Sequence, residues 1–438
     1  MKKEVQKIVL TWLRLAAKLQ LKKNSPTIIG VTGSAGKTSA VKAISEVLKT
    51  KYLIKSTLTG NSETGIPFEI LNIPVKNWTG ASWIMVMLLS LWRLITHWPK
   101  YELLIVEMGI DSDQAPKNMS YLLKIVQPTI GVFLNVNHVH GANFSGPNTL
   151  QAITKEKGKL LTSLPANGLA IYSQDYPSLN AIKDHIKAPQ KTFSINKKAD
   201  IQLLKYKVDL QGTEFVFLMT GKQYILKFTQ QLLIKESFGG LATALHLGKY
   251  FEMSPKDIID ALENNLRLLP GRSSLIAGIN NSAIIDSSYN SSLEPTRAAL
   301  NMMSKITIRG KKIAVLGDMR EIGEEEKNDH EELAKAAAKN ADVIFLIGPL
   351  TKKYILPKLK KLKFAKTKTH SFMTAHEAVN PIKKVIDQYD LILVKGSQNT
   401  IFLEIIVKAI MADPQQADKL LCRQSRYWQK QHQNLYTL

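Results

Sequence analysis

Among the 438 residues there is a single cysteine, Cys422. One thiol closes no intramolecular disulfide and supplies no zinc knuckle, so a disulfide scaffold and a cysteine-based metal site are both excluded, and a reducing compartment is the expected setting. Acidic residues are also few, 36 Asp and Glu against 59 Lys and Arg, for a formal net charge of +23. Such an excess has to meet something anionic, and composition leaves three classes open: nucleic acid, an anionic membrane surface, or polyphosphate metabolites. Nor is there an apolar run of membrane-spanning length. The most apolar stretch, WIMVMLLSLW at residues 83–92, is stopped by Arg93 well short of the roughly 18 to 20 residues a span requires. Residues 1–23 are interrupted by Lys7, Arg14, Lys18, Lys22 and Lys23, with no small-residue cleavage site behind them, so no secretory signal is expected. What remains is a globular composition, 45% apolar and 22% charged, which excludes disorder, collagen and coiled coil. At roughly 150 residues per domain, the length accommodates about three domains or two large ones.

A β-branched run, TIIGVT at residues 27–32, leads into Gly33-Ser34-Ala35-Gly36-Lys37-Thr38-Ser39, and Ala40, Ala43, Ile44, Val47 and Leu48 then recur at helical spacing. This reads as strand, glycine loop, helix. Short apolar strands are expected again at 103–107 (LLIVE) and 130–135 (IGVFLN), with helical stretches between them, the pattern of a parallel sheet covered by helices. Between residues 201 and 230, alternating segments around Gly212 and Gly221 point to antiparallel hairpins. Beyond Leu269-Pro270-Gly271-Arg272, whose helix-breaking pair suits a hinge, strand-like runs return at 283–286, 313–317 (IAVLG), 343–347 (VIFLI) and 391–394 (LILV). The lysine-rich segment 352–368 reads as a solvated face. The expected architecture is α/β: a basic amphipathic helix over 1–25, a central P-loop ATPase-like parallel-sheet domain with a β-hairpin appendage over 26–270, and a smaller Rossmann-like α/β domain over 271–438.

The glycine loop has the chemistry a triphosphate needs. Glycines let backbone N–H groups approach phosphate oxygens, the helix N-terminus adds positive potential, Lys37 offsets phosphate charge, and a hydroxyl of Thr38 or Ser39 can ligate Mg2+. Val31 stands where the strict Walker pattern has glycine, so the match is to the shorter GxxGK[ST] form. A chance glycine turn is the alternative, disfavoured by the strand before it and the amphipathic helix after it. Mg2+ takes oxygen ligands, so a carboxylate at a neighbouring strand end would complete a site. Glu107, closing LLIVE, is that carboxylate or else an ordinary solvent-facing strand terminus. His138 and His140 follow IGVFLN at the edge where open α/β sheets gather ligands, although either histidine alone is more often structural than a ligand.

Taken together, TGSAGKTS (32–39), TGNSETGIP (59–67), VEMGID (106–111), NVNHVH (135–140), TKEKGKL (154–160), LPGR (269–272), DSSYN (286–290), VLGDMREIGEEEKNDHEELA (315–334) and VKGS (394–397) resemble the Mur ligases, in family order across almost all of the chain from residue 26. The stretch GDMREIGEEEKNDH is most similar to the member that adds D-alanyl-D-alanine to UDP-N-acetylmuramoyl-tripeptide. The resemblance implies ATP-dependent, ADP-forming amide ligation through an acyl-phosphate in peptidoglycan precursor synthesis, with that nucleotide peptide and D-alanyl-D-alanine as substrates. It implies ATP with two Mg2+ ions. Gly33, Ser34, Ala35 and Gly36 would cradle phosphate, Lys37 would contact the β- and γ-phosphates, and Thr38 or Ser39 would hold metal. Glu107 would bridge to the metals and His140, rather than His138, would bind one. Lys157 would be carbamylated by CO2 into a carboxylate-like anion for the second Mg2+. Arg272 would reach the γ-phosphate on closure, Asp286 and Asn290 would contact the nucleotide, and Asn61, Lys395 and Ser397 the substrate. A cytoplasmic monomer serving cell-wall biogenesis, cell shape and cell division is the matching expectation, with no nucleic-acid partner.

The chain also departs from the family's pattern. Only about 25 residues precede the ATPase strand, where the family carries a separate N-terminal domain contributing to nucleotide-sugar recognition. Residues 1–23 read instead as one basic helix with Ile8, Leu10, Trp12, Leu13, Leu15 and Leu19, either packed on the body or lying on an anionic leaflet. Residues 72–98 are longer than the family's usual segment and hold four of the six tryptophans, Trp78, Trp83, Trp92 and Trp98, as a core helix or as a contact to lipid or a partner. Ser287 occupies the second acidic position of the family's DDSYN motif, and the Asn expected after the hairpins is absent from KESFGGLATAL (235–245). Two other functions stand beside the leading one. The first is the same ligation on a lipid-linked wall precursor at the inner face of the membrane. The second is a P-loop protein that binds nucleic acid or membrane, which leaves Glu107, His140 and Lys157 without a role.

Overall fold

In a computed structural model, which describes residues 3–57, 60–74, 82–137, 143–144, 149–320, 325–397 and 401–434, the strands form two sheets. The larger runs in the order β2 (Ile54–Thr57), β3 (Leu103–Glu107), β1 (Thr27–Thr32), β4 (Ile130–Phe133), β5 (Leu169–Ser173), β6 (Gln190–Ser194), β7 (Ile201–Asp209), β8 (Gly212–Met219) and β9 (Lys222–Thr229). From β2 to β6 every pairing is parallel, as strands separated by crossover helices require, and β7 pairs parallel to β6 across the short connection 195–200. The connection after β1 leads to one side of the sheet and that after β4 to the other, so the crevice at their carboxyl ends is the switch point where such sheets bind ligands. Register sets what meets there: Val31 of β1 lies beside Glu107 of β3, and Thr32 beside Phe133 of β4. The hairpin region, expected as an appendage, continues this sheet, because Phe193 and Ser194 of β6 pair with Ile201 and Gln202 of β7.

The chain divides into two compact units, one of Met1–Leu204, Phe217–Tyr224 and Ser237–Leu266, the other of Lys205–Val216, Ile225–Glu236 and Arg267–Leu438. In the first, Leu104, Val106, Phe133, Leu160 and Leu161 form the core on one face of the sheet. Helix Lys37–Leu48 packs beside helix Phe238–Tyr250. Its fully buried Ile44 and Leu48 each supply about 1.5–3 kcal/mol of transfer free energy. Helix Lys3–Leu21 buries Val9, Leu13, Ala16 and Ala17 and joins helix Ser82–Thr96 in a small cluster with Phe68, Leu71 and Val86. Trp78 lies outside the described residues. Among the described residues no helix is long and apolar enough to cross a membrane.

The second unit carries a six-stranded sheet ordered β10 (Ser274–Ala277), β11 (Ala283–Ser287), β15 (Leu391–Lys395), β12 (Lys312–Gly317), β13 (Val343–Ile347) and β14 (Thr369–Phe372). Only β10 pairs antiparallel, with β11. One face packs Leu300, Met303, Leu316 and Leu333, joined by Val208 of β7, and the other packs Val315, Phe345, Ile382 and Ile406. The ends of β11 and β15 lie side by side, with Asp286 opposite Val394 and Ser287 opposite Lys395.

Candidate active site

Gly36 starts helix Lys37–Leu48 with a φ of 78°, a left-handed conformation that costs an ordinary L-residue roughly 1–2 kcal/mol. No side chain caps this helix and its first turn has no acid, so the positive helix end is available to an anion. The loop before it is held from β4. Asn135 Oδ1 accepts the N–H groups of Ser34 at 3.0 Å and Ala35 at 2.8 Å, and its Nδ2 donates to the Ala35 carbonyl at 2.8 Å. Strand β4 ends at Phe133, two residues short of the expected strand.

Two lysines converge on one acceptor. Lys37 Nζ and Lys157 Nζ each donate to the Gly33 carbonyl at 3.0 Å. Lys157, on helix Thr149–Thr162, is only 4% exposed. Burial holds its pKa well below the ordinary lysine value, the charge of Lys37 lowers it further, and Asp111 opposes both. Glu107 is likewise buried rather than solvent-facing. Its Oε1 accepts from Asn61 Nδ2 at 3.1 Å, and its backbone N–H donates to Thr57 Oγ1 at 2.9 Å.

Ser34, Lys37, Asn61 and Lys157 line one cleft together with Glu63, Asp111 and Lys117. Thr38, Ser39 and Glu107 do not line it, and Glu107 stands one hydrogen bond behind Asn61. His138 and His140 lie outside the described residues. Among the described residues no three His, Cys, Asp or Glu side chains gather as a metal site, so the expected donors are of unlike kinds: a hydroxyl, a carboxylate and a lysine. Asn135, Asp111 and Lys117 are site residues that sequence reasoning did not single out, although the first two stand inside the motifs NVNHVH and VEMGID.

The second unit brings its own expected residues together. Gly271 has a φ of 73°, and a Cβ there would stand 3.0 Å from the Tyr289 nitrogen. That close approach lets Tyr289 N–H donate to the Gly271 carbonyl at 3.1 Å and sets the Arg272 guanidinium 4.5 Å over the Tyr289 ring. Asp286 is fully buried: its Oδ1 accepts from Ser288 N–H at 3.0 Å, while Oδ2 has no partner among the described residues. Burial pushes its pKa up to about 6 against the pull of the Ser288 hydrogen bonds. Lys395 Nζ donates to the Asn290 carbonyl at 2.9 Å, and burial, aided by Arg272 and opposed by Asp286, pushes its pKa down to about 8. Ser397 is buried, its N–H donating to the Asp318 carbonyl at 3.1 Å.

The most discriminating motif is a brace in the described part of its length, residues 321–324 lying outside it. Asp318 Oδ1 accepts from Thr351 N–H at 2.8 Å, and buried His330 accepts from Met319 N–H at 3.2 Å through Nε2 while its Nδ1 donates to the Glu326 carbonyl at 2.6 Å. Burial lowers the His330 pKa, in keeping with a neutral ring. Arg423, missed in the sequence, donates to Glu404 Oε2 at 3.0 Å and to the Ser288 and Tyr289 carbonyls, so the C-terminal segment steadies the loop that follows β11.

Residues 31–235 match the Mur ligase middle domain and residues 271–398 the Mur ligase, glutamate ligase domain. The UDP-N-acetylmuramoyl-tripeptide--D-alanyl-D-alanine ligase of Bacillus subtilis (strain 168) is 27% identical over 407 residues, covering 92% of this chain and 80% of that protein. The enzyme of the same name from Escherichia coli (strain K12) is 23% identical over 391 residues, covering 86% of this chain and 76% of that protein. Among solved structures, MurF ligase from Thermotoga maritima in complex with ADP is similar with a TM-score of 0.73 at 21% identity, covering 94% of this chain and 84% of that one.

Proposed function

This chain belongs to the Mur ligase family, and on that footing we propose that it joins D-alanyl-D-alanine to UDP-N-acetylmuramoyl-tripeptide in peptidoglycan synthesis, with cleavage of ATP to ADP and phosphate. The observation that carries the reading is the convergence of Lys37 and Lys157 on the Gly33 carbonyl in a cleft that also holds Asn61, with Glu107 behind it. The peptide carboxylate attacks the γ-phosphorus in line, the bond to the β-bridging oxygen breaks, and ADP leaves. Lys37 and the uncapped helix end spread the charge of the transferring group. The amine of D-alanyl-D-alanine then adds to the acyl-phosphate carbonyl, loses a proton, and expels phosphate as the amide forms. Asn61, Lys395 and Ser397 are the proposed substrate contacts, and Arg272, Asp286 and Asn290 the proposed nucleotide contacts. We take 26–270 and 271–438 as the functional domains, preceded by the helix within 1–25.

Two Mg2+ ions, when bound, neutralise phosphate charge and polarise the γ-phosphoryl group. Thr38, Glu107, His140 and a carbamylated Lys157 would hold them. The donor chemistry fits once Lys157 is modified, because an ammonium beside Lys37 would repel a cation whereas a carbamate supplies two oxygens. A buried amine of lowered basicity supports that modification: the ammonium gives up one proton, the freed lone pair forms the bond to the CO2 carbon, a second proton leaves the nitrogen, and one negative charge replaces the positive one. A cytoplasmic monomer serving cell shape and division completes the proposal, supported by nucleotide substrates and a lone, buried Cys422.

A second reading, ligation on a lipid-linked wall precursor, is favoured by the exposed apolar residues of helices Lys3–Leu21 and Ser82–Thr96. Incubation with ATP, D-alanyl-D-alanine and either the soluble nucleotide tripeptide or its lipid-linked form separates the two. Phosphate release and amide product with the soluble acceptor are expected. Release only with the lipid-linked form transfers the assignment to the second reading, and release with neither removes both.

A further inference from the structure

Helix Lys3–Leu21 has two apolar stripes where packing on a globular body needs one. Val9, Leu13, Ala16 and Ala17 are buried, but Val5, Ile8, Leu15 and Leu19, on a row of their own at helical spacing with Trp12, are 44%, 61%, 49% and 53% exposed. The neighbouring helix Ser82–Thr96 repeats the pattern: Val86 and Ser90 face inward, while Ile84, Leu88 and Ile95 are 65%, 56% and 71% exposed. Trp12, half-buried on the same row, donates through Nε1 to Ser90 Oγ at 2.7 Å, and Gln20 Nε2 donates to the His97 carbonyl at 2.7 Å, so the two apolar faces adjoin on one fixed pair of helices. Of the twenty exposed large apolar side chains among the described residues, eleven fall in residues 5–19 and 84–98. That is a concentration rather than the usual scatter, and such patches mark interaction surfaces.

Charge selects the occupant. Residues 5–24 and 82–100 contain seven Lys and Arg and no Asp or Glu. A second copy of this chain would set cations against cations, whereas an anionic leaflet complements them while its acyl chains take up the apolar faces. Trp98, 66% exposed with the Lys23 ammonium 4.6 Å over its ring, has the paired indole and cation suited to the headgroup boundary. The 15 residues of the second helix reach only about 22 Å, short of the roughly 30 Å hydrocarbon core, so they suit lying in the interface and not crossing it. We propose that these two helices form a docking surface for an anionic lipid leaflet, laying the protein on the membrane surface. The proposal is independent of which acceptor is ligated.

The test is sedimentation of the full chain with vesicles of phosphatidylcholine alone or mixed with phosphatidylglycerol. Binding to the mixed vesicles is expected to exceed binding to phosphatidylcholine by on the order of tenfold. The double variant Leu88→Asp/Ile95→Asp should lose most of it while its circular dichroism and ATP turnover stay as in the parent chain. Absence of binding to mixed vesicles overturns the proposal, as does equal binding by the double variant, which would leave diffuse positive charge as the cause. A dimer in solution that the double variant dissociates would instead assign the surface to a second copy. Should the variant fold poorly, quenching of the parent chain's tryptophan fluorescence by spin-labelled lipid in mixed vesicles decides the matter, unquenched emission counting against the proposal.

Discussion

A lysine ammonium buried beside a second lysine, as Lys157 is beside Lys37, gains little from staying charged. Conversion to the proposed carbamate would relieve that repulsion and place an anion where the proposed divalent cation would need one. Lys157→Ala should therefore lower amide formation by on the order of a thousandfold, with part of the rate restored when a short carboxylic acid such as acetate supplies the missing anion. Steady-state phosphate release checks both, and full activity in the variant would remove the carbamate. Asp286 makes the reverse case in the second unit. An acid whose folded pKa lies above its unfolded value binds protons more tightly when folded, so stability declines as pH rises through the window between the two and stays lower above it. Asp286, pushed from an ordinary 3.8 up to about 6, contributes a penalty of about 3 kcal/mol at neutral pH. Asp286→Asn should raise the unfolding free energy in urea by about 1–3 kcal/mol near pH 7.5, with the gain fading towards pH 4, while ATP turnover falls. A difference that stays the same at the two pH values would show that folding does not raise the pKa of this carboxyl.

At the scale of elements, Gly271 joins a turn to a loop by having no side chain. A Cβ there would meet the Tyr289 nitrogen and Cys422 Sγ at 3.0 Å on a left-handed backbone, so Gly271→Ala is expected to cost about 1–3 kcal/mol. Thermal melting would register this as a fall of roughly 2–4 °C per kcal/mol; an unchanged melting point would mean the loop yields freely. The same scale explains what could be read in advance. Strands β3 and β13 are buried along their whole length, so both faces are apolar and LLIVE and VIFLI stand out as unbroken runs. Strands β6 (QKTFS) and β14 (THSF) keep partly exposed, polar positions, and no such run marks them. The phosphate loop was legible because its residues are consecutive and its chemistry is local. Asn135 and Arg423 were not, because each acts across the fold: Asn135 on Ser34, 101 positions away, and Arg423 on Ser288, 135 away. No local spacing encodes either contact.

For the whole molecule the net charge of +23 invites an account, since the residues of the cleft use only a few of those cations. A positive field raises the local concentration of a polyphosphate before any specific contact forms, and it acts on association more than on the bound complex. Salt screens it, the Debye length shrinking from about 30 Å at 0.01 M to about 8 Å at 0.15 M. If the excess serves nucleotide capture, kcat/KM for ATP should fall several-fold between those ionic strengths while kcat stays nearly constant, because in the proposed site Lys37 and the helix end would contact the phosphates directly once ATP is bound. Steady-state kinetics at fixed Mg2+ over a salt series measures both parameters in one experiment. A kcat/KM that ignores salt would release the surplus charge from nucleotide capture and leave the lysines around helices Lys3–Leu21 and Ser82–Thr96 to an anionic surface, whereas a parallel loss of kcat would mean that salt reaches the bound phosphates themselves.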